Sequence, residues 1–260
     1  MAYVKCLRGI NGSEIPEGST ATPTDVVETL LNCAGIFDKE YTTIAQLLAD
    51  TTSLNTVITS NNAIDYLVRS TTFATAVTAD QTAMSYIGLN NYASNTLLGD
   101  STWCSAICNS TYFESVLNVK VPTMTSNNTP SGECSATNVS DQSAVYYAFD
   151  GDDSSAIGST SSGIISYINY HFPNAVKIKC FRLVSRQFTD GVYSIEASND
   201  GNTFIELGSY SDASSSSSNS DVSHNFTNEN TYNFYRLKYT PLSSYGAYIF
   251  TLQFYGRADV

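Results

Sequence analysis

The chain has 260 residues, room for one large or two ordinary domains, and 42% of them are hydrophobic, enough for a real core. Only 14% are charged, against about a quarter in ordinary soluble domains, and Ser, Thr, Asn and Tyr carry the polar share instead. A net charge of −12, with 12 Lys and Arg and no basic run, excludes nucleic acid as a partner; no window reaches the ~18 apolar residues of a membrane span.

Residues 1–23 read as an arm. Gly9, Gly12, Pro16 and Gly18 break any periodicity, and "YVKCLRGI" is apolar enough to dock on a neighbouring subunit, although a frayed terminus has the same signature. The stretch lacks the apolar run of a secretory leader. The expectation is synthesis in a cytoplasm and, for work outside, release as part of a particle. Next, "TPTDVVETLLNCAGI" predicts a capped amphipathic helix from Thr24 or Asp25 to Gly35.

Residues 41–120 divide into eight blocks of ten without insertion, from YTTIAQLLAD to TYFESVLNVK. The seventh place is always apolar: Leu47, Val57, Leu67, Val77, Ile87, Leu97, Ile107 and Leu117. The fourth is mostly so, and the third includes Phe73, Trp103 and Phe113. Places 3, 4, 7 and 8 share one face of a short helix. The tenth place holds Asp50, Ser60, Ser70, Asp80, Asn90, Asp100 and Ser110, all N-cap types, before Lys120 departs from the pattern. A single long helix is disfavoured, because its apolar stripe would drift about 80° per block. Each block therefore reads as a two-turn helix and a corner, stacked by nearest-neighbour contacts into a small α-solenoid. The pattern resembles arrays in phage and prophage tail-associated proteins, which implies a spacer or platform and no chemistry.

Six cysteines lie at 6, 33, 104, 108, 134 and 180 with no CxxC pair. Cys104 and Cys108 share a helix face, but no His or further Cys is near, so they read as small buried apolar residues. "VPTMTSNNTPSGECSATNVSDQSA" (121–144) marks a boundary, with a linker at 123–134. Beyond it "GIISYINYHF", "VKIKCFRLVS", "VYSIEAS", "NTFIELGSY", "YNFYRLKYT" and "YIFTLQFYG" are β-like. Turns are expected at Pro173-Asn174, Asp190-Gly191 and Asn199-Asp200-Gly201, the last closing a hairpin with Phe204 packed inward. Strands with no helices between them predict an antiparallel sandwich.

"AFDGDDSSA", "ISYINYHFPNAVKIKCFRL", "YSIEASNDGNTFIEL", "NFYRLKYT" and "FTLQFYG" come in an order and spacing that resembles the discoidin family, also called coagulation factor 5/8 type C or galactose-binding-like, over about 135–257. The resemblance implies a jelly-roll β-sandwich whose loops at one end bind galactose- or fucose-type sugars, other glycans, or protein and lipid surfaces. It also implies a calcium site at the "DG" loop, for which Asp150, Asp153 and Ser155, with Asp152 beside them, are the candidate ligands. Two positions depart from the family: Ile157 replaces its Trp, and Thr251 stands where a calcium-binding Glu would be. Without a metal, the same loop is an acidic turn whose Asp side chains cap backbone N–H groups. Arg186 in "FRLVSRQ" matches the family's ligand-binding Arg, and Tyr245 and Tyr248 in "PLSSYGAYIF" offer ring faces to a sugar.

The expectation is thus a multi-domain chain: arm 1–23, an all-α array of short helices at 24–122, linker 123–134, and an all-β jelly-roll sandwich at 135–260. Its role is that of a virion structural protein of the tail-fibre, tail-tip or head-fibre type. The partners are other virion proteins and a host-surface or mucus glycan, and a homotrimer follows by analogy with fibres. A purely architectural virion protein is the alternative; a binding module of a carbohydrate-active enzyme and a cellular lectin rank behind it. Enzymatic activity is not expected. The helical half is nearly devoid of acids suited to glycoside hydrolysis, since Asp50, Asp65, Asp80 and Asp100 mostly read as caps, and neither His171 nor His224 sits in a nucleophile signature.

Overall fold

The computed structural model describes residues 23–158, 166–186, 192–211, 219–226, 228–240 and 248–258. The expected arm, apart from residue 23, lies outside them. The chain divides into two compact units between Leu117 and Asn118.

The first unit is helical: α1 (Pro23–Cys33), α2 (Ile44–Ala49), α3 (Thr51–Thr59), α4 (Asn61–Leu67), α5 (Ala74–Thr78), α6 (Gln81–Leu89), α7 (Asn91–Gly99) and α8 (Ser101–Cys108). Short 3-10 turns at Thr71–Phe73 and Phe113–Ser115 accompany them. α1 ends in a Schellman motif: Ile36 N–H reaches Leu31 O, Gly35 N–H reaches Asn32 O, and Gly35 supplies the left-handed φ of +78°.

One residue makes each of several corners. Asp50, Ser60, Asn90 and Asp100 close the preceding helix with their backbone N–H and open the next with their side chain, all in extended conformation. Asp50 accepts from Thr52 and Ser53 N–H, and Asp100 from Thr102 and Trp103 N–H. Asp80 caps α6 in the same manner. Ser70 does not; its hydroxyl donates to Tyr66 O, and a 3-10 turn replaces the first turn of the next helix. All eight seventh-place residues from Leu47 to Leu117 are buried.

The helices pack on more than their nearest neighbours. α1 contacts α4, α2 contacts α5, α3 contacts α6, α4 contacts α7 and α5 contacts α8, besides contacts between consecutive helices. The unit is therefore a coil with about three helices per turn. Ser60 Oγ donates to Cys33 O, and Tyr92 OH to Asp65, across successive turns. The coil closes tightly at Gly88, where a Cβ would lie 1.8 Å from Ser115 O.

The second unit is an antiparallel sandwich of two sheets that share one strand. Its strands are β1 (Val119–Lys120), β2 (Glu133–Thr137), β3 (Ile157–Gly158), β4 (Ser166–Arg186), β5 (Val192–Ser198), β6 (Ile205–Tyr210), β7 (Ser220–Asn225), β8 (Tyr232–Thr240) and β9 (Tyr248–Arg257). The first part of β4 pairs with β2 and β8, and the sheet continues through β5 to β6. Residues Lys177–Arg186 pair with β9, and Cys180–Ser185 also with β7; β1 and β3 join β9. The turn expected at Pro173-Asn174 is a bend within this strand. The register shifts between His171 and Val176, so Pro173, which has no N–H to give, sits where the ladder is interrupted.

The linker expected at 123–134 is part of the sandwich. Val121, Met124 and Cys134 are buried in its core beside Phe181, Leu183 and Leu252. The polar residues between them order the backbone: Asn127 accepts from Tyr146 N–H and donates to Gln142 O. The expected hairpin is present between β5 and β6, with Gly201 at φ +71°. Its Phe204 does not pack inward; the ring lies half-buried over the Arg236 guanidinium, 3.5 Å from ring centroid to guanidinium carbon.

We predict that Gly88→Ala destabilises the helical unit by about 1–3 kcal/mol through overpacking, and that Asp100→Ala costs about 1 kcal/mol through loss of its cap; thermal unfolding by circular dichroism checks both. The hairpin gives a pH test. Asp200 accepts from the N–H groups of Thr203 and Asn202 and from Ser198 Oγ, and these bonds lower its carboxyl to about 2. A depressed acid stabilises above its unfolded pKa, so this contribution is complete above pH ~4 and lost as pH falls toward 2. An NMR titration of the Asp200 carboxyl should show that midpoint.

Candidate functional site

In β9, Leu252 and Phe254 face the core, and strict alternation would put Phe250 and Tyr248 there too. The register forbids it. Leu183 pairs with Leu252, Val184 with Thr251, Ser185 with Ile249 and Arg186 with Tyr248, which leaves Phe250 without a partner. This is a β-bulge, and it reverses the facing of the strand. Ile249 joins the core, while Tyr248 and Phe250 come to Arg186 on the opposite face.

There the guanidinium carbon lies 5.2 Å from the Tyr248 ring centroid and 5.3 Å from that of Phe250. Phe250 is buried, and Tyr248 is 39% exposed. On the other flank Gly158 of β3 pairs with Tyr248, and a Cβ there would lie 3.2 Å from the ring, so the glycine leaves the ring its place. Arg186 and Tyr248, both expected from sequence, are brought together. Tyr245 lies outside the described residues. Phe250 and Gly158 were not expected.

The acidic turn is a separate structure. Asp150 accepts from Asp152 N–H and from Ser155 Oγ, and Gly151 carries φ +73°. Asp153 accepts from Thr251 Oγ1 at 2.6 Å and pairs with Arg182 at 3.0 Å. Both interactions, the hydroxyl first, hold its carboxyl below the usual range. Arg182 also grips Asp221, and these partners raise the guanidinium further. A fixed cation on Asp153 repels a second cation, and Thr251 spends its hydroxyl on the same acid. Among the described residues no three His, Cys, Asp or Glu side chains could share a metal ion. As placed, Asp150 and Asp152 each accept from the N–H group two residues on, the acidic capping turn of the other reading, while Asp153 is engaged by Thr251 and Arg182.

Two further clusters are structural. Buried Glu196 pairs with Arg236 and Lys238, and the Arg236 guanidinium lies between the Phe204 and Tyr167 rings. His171 stacks on Phe234 at 4.1 Å, packed against its neighbour. In the helical unit, a groove of ≈ 780 Å³ between α5 and α8 is lined by Ala, Ser, Thr and Asn, with no acid, base or thiol.

In fold, the sandwich is similar to carbohydrate-binding modules. Chitosan-binding module 1 of a chitosanase/glucanase from Paenibacillus sp. IK-5 is 19% identical, with 48% of this chain and 95% of that chain covered and a TM-score of 0.40. CBM32-3 of a family 31 glycoside hydrolase from Clostridium perfringens is 18% identical (48% and 91% covered, TM-score 0.40). The C-terminal domain of a chitobiase from Bacteroides fragilis is 17% identical (52% and 99% covered, TM-score 0.42). No protein-family model matches the chain, and no curated protein matches it.

Removing one partner of the buried charge cluster should be costly. Glu196→Ala leaves Arg236 and Lys238 facing no acid and is expected to destabilise the sandwich by about 3 kcal/mol in urea unfolding. Calcium and EDTA should leave the melting temperature unchanged, since a ligand stabilises only what it binds.

Proposed function

We propose that this protein is a non-catalytic adhesion component of a virion, and that its sandwich unit binds a glycan at Arg186 and Tyr248. The observation that carries the binding reading is the bulge-built cluster. A sugar site pairs a ring face, which covers the C–H face of a pyranose, with planar hydrogen-bond donors that read its hydroxyls. Tyr248 offers the exposed ring, and Arg186 offers the donors beside it. Phe250 and Gly158 hold the pair in place from either side.

The helical unit supplies the spacer in this reading. Its ten-residue blocks, one-residue corners and charge-poor, hydroxyl-rich composition suit a stiff support that carries no chemistry. The groove between α5 and α8 offers Ser and Thr hydroxyls, but its lining residues include no acid or base that could activate one as a nucleophile. Other virion proteins and copies of the same chain, a trimer by analogy with fibres, would be its partners.

A glycan-array screen with the full chain tests the reading. Saturable binding to a sugar class is expected, and Arg186→Ala or Tyr248→Ala should weaken it by about tenfold or more, the equivalent of ~1.4 kcal/mol. Binding that both variants retain in full would refute the site. An array on which nothing binds would refute glycan adhesion and favour a purely architectural role.

A further inference from the structure

The chain has twice as many acidic as basic residues, 24 against 12. Among the described residues five cations are held in ion pairs: Lys39 with Asp50, Lys179 with Glu229, Arg182 with Asp153 and Asp221, and Arg236 and Lys238 with Glu196. Arg186 is different. Among the described residues it has no carboxylate partner and no hydrogen-bond acceptor, only the Tyr248 and Phe250 rings. Ring contact fixes a guanidinium without using any of its five N–H donors. The result is a half-buried, oriented cation, its donor set unspent, beside an exposed aromatic face.

We propose that the glycan this site prefers is acidic, and that Arg186 takes the carboxylate of a uronic or sialic acid in a two-point hydrogen-bonded pair. The proposal rests on the glycan-binding reading above. A neutral sugar would satisfy single donors of the fork with hydroxyls, whereas a carboxylate matches its planar geometry and its charge at once. Lysine cannot replace that match, since its ammonium is a point charge without the planar fork. The chain's net negative charge opposes the approach of a polyanion, so selectivity would arise at close range in this one contact and would weaken with salt.

The test is titration of the full chain with matched pairs that differ only in charge: oligogalacturonate against its methyl ester, and 3′-sialyl-lactose against lactose. The expected result is that one acidic member binds about tenfold or more tightly than its neutral partner. That advantage should disappear in Arg186→Gln, be only partly restored in Arg186→Lys, and shrink as NaCl rises. Equal binding of acidic and neutral members, or preference for the neutral ones, would overturn the proposal and leave the glycan site standing. No binding by any sugar would remove the site and the proposal together. Circular dichroism of each variant separates lost contact from lost folding.

Discussion

The pairing of β4 with β9 is the constraint on which the sandwich depends. β4 is the one strand common to both sheets, so whatever fixes its second half fixes how the sheets face one another. β9 fixes it, along a ladder that runs from Lys177–Arg257 to Arg186–Tyr248. Gly256 is part of that closeness: a Cβ there would lie 2.2 Å from Lys177 O. The single irregularity near the far end, the extra residue Phe250, lets the ladder serve two purposes. Before it, Leu252 and Phe254 fill the core; after it, Tyr248 stands on the opposite face with Arg186. A bulge costs some ladder hydrogen bonding and re-aims side chains in return.

The helical unit solves a different problem. Two-turn helices rich in Thr and Asn have little intrinsic stability. Their order comes from burial of one apolar face and from corners where a single Asp, Ser or Asn serves as stop and start together. Three such corners bring the chain back upon itself, so each helix gains a partner three places on as well as the next in line. That is more contact than a simple nearest-neighbour stack provides, and it explains why the corners must be so short and so regular.

Periodic features were the most legible in the sequence. The apolar seventh place and the capping tenth place each report on a contact repeated many times, so chance exceptions such as Ser70 do not hide them. The Asn199-Asp200-Gly201 hairpin was legible because its turn chemistry is local. Three other features escaped. Phe250 reads as core by alternation, and only the pairing partner reveals the bulge. Residues 123–134 read as a linker, because their few apolar side chains, Met124 and Cys134 among them, are separated by polar residues whose work is to hold a buried, irregular backbone. Phe204 reads as an inward aromatic, but the Arg236 guanidinium it covers is set by a partner strand. Arg186 and Tyr248 could each be named from sequence; their contact across β4 and β9 could not.

The central claim is that ligand meets the protein at the Arg186–Tyr248 end of the β4–β9 ladder. The most direct measurement is a ¹⁵N NMR spectrum of the arginine side chains of the full chain, recorded while oligogalacturonate is added. The account predicts that the Arg186 Nε–H signal shifts and sharpens, while those of Arg182 and Arg236, already held by their own acids, stay in place. Shifts at Arg236, or none at Arg186 while binding is evident by another probe, would contradict it.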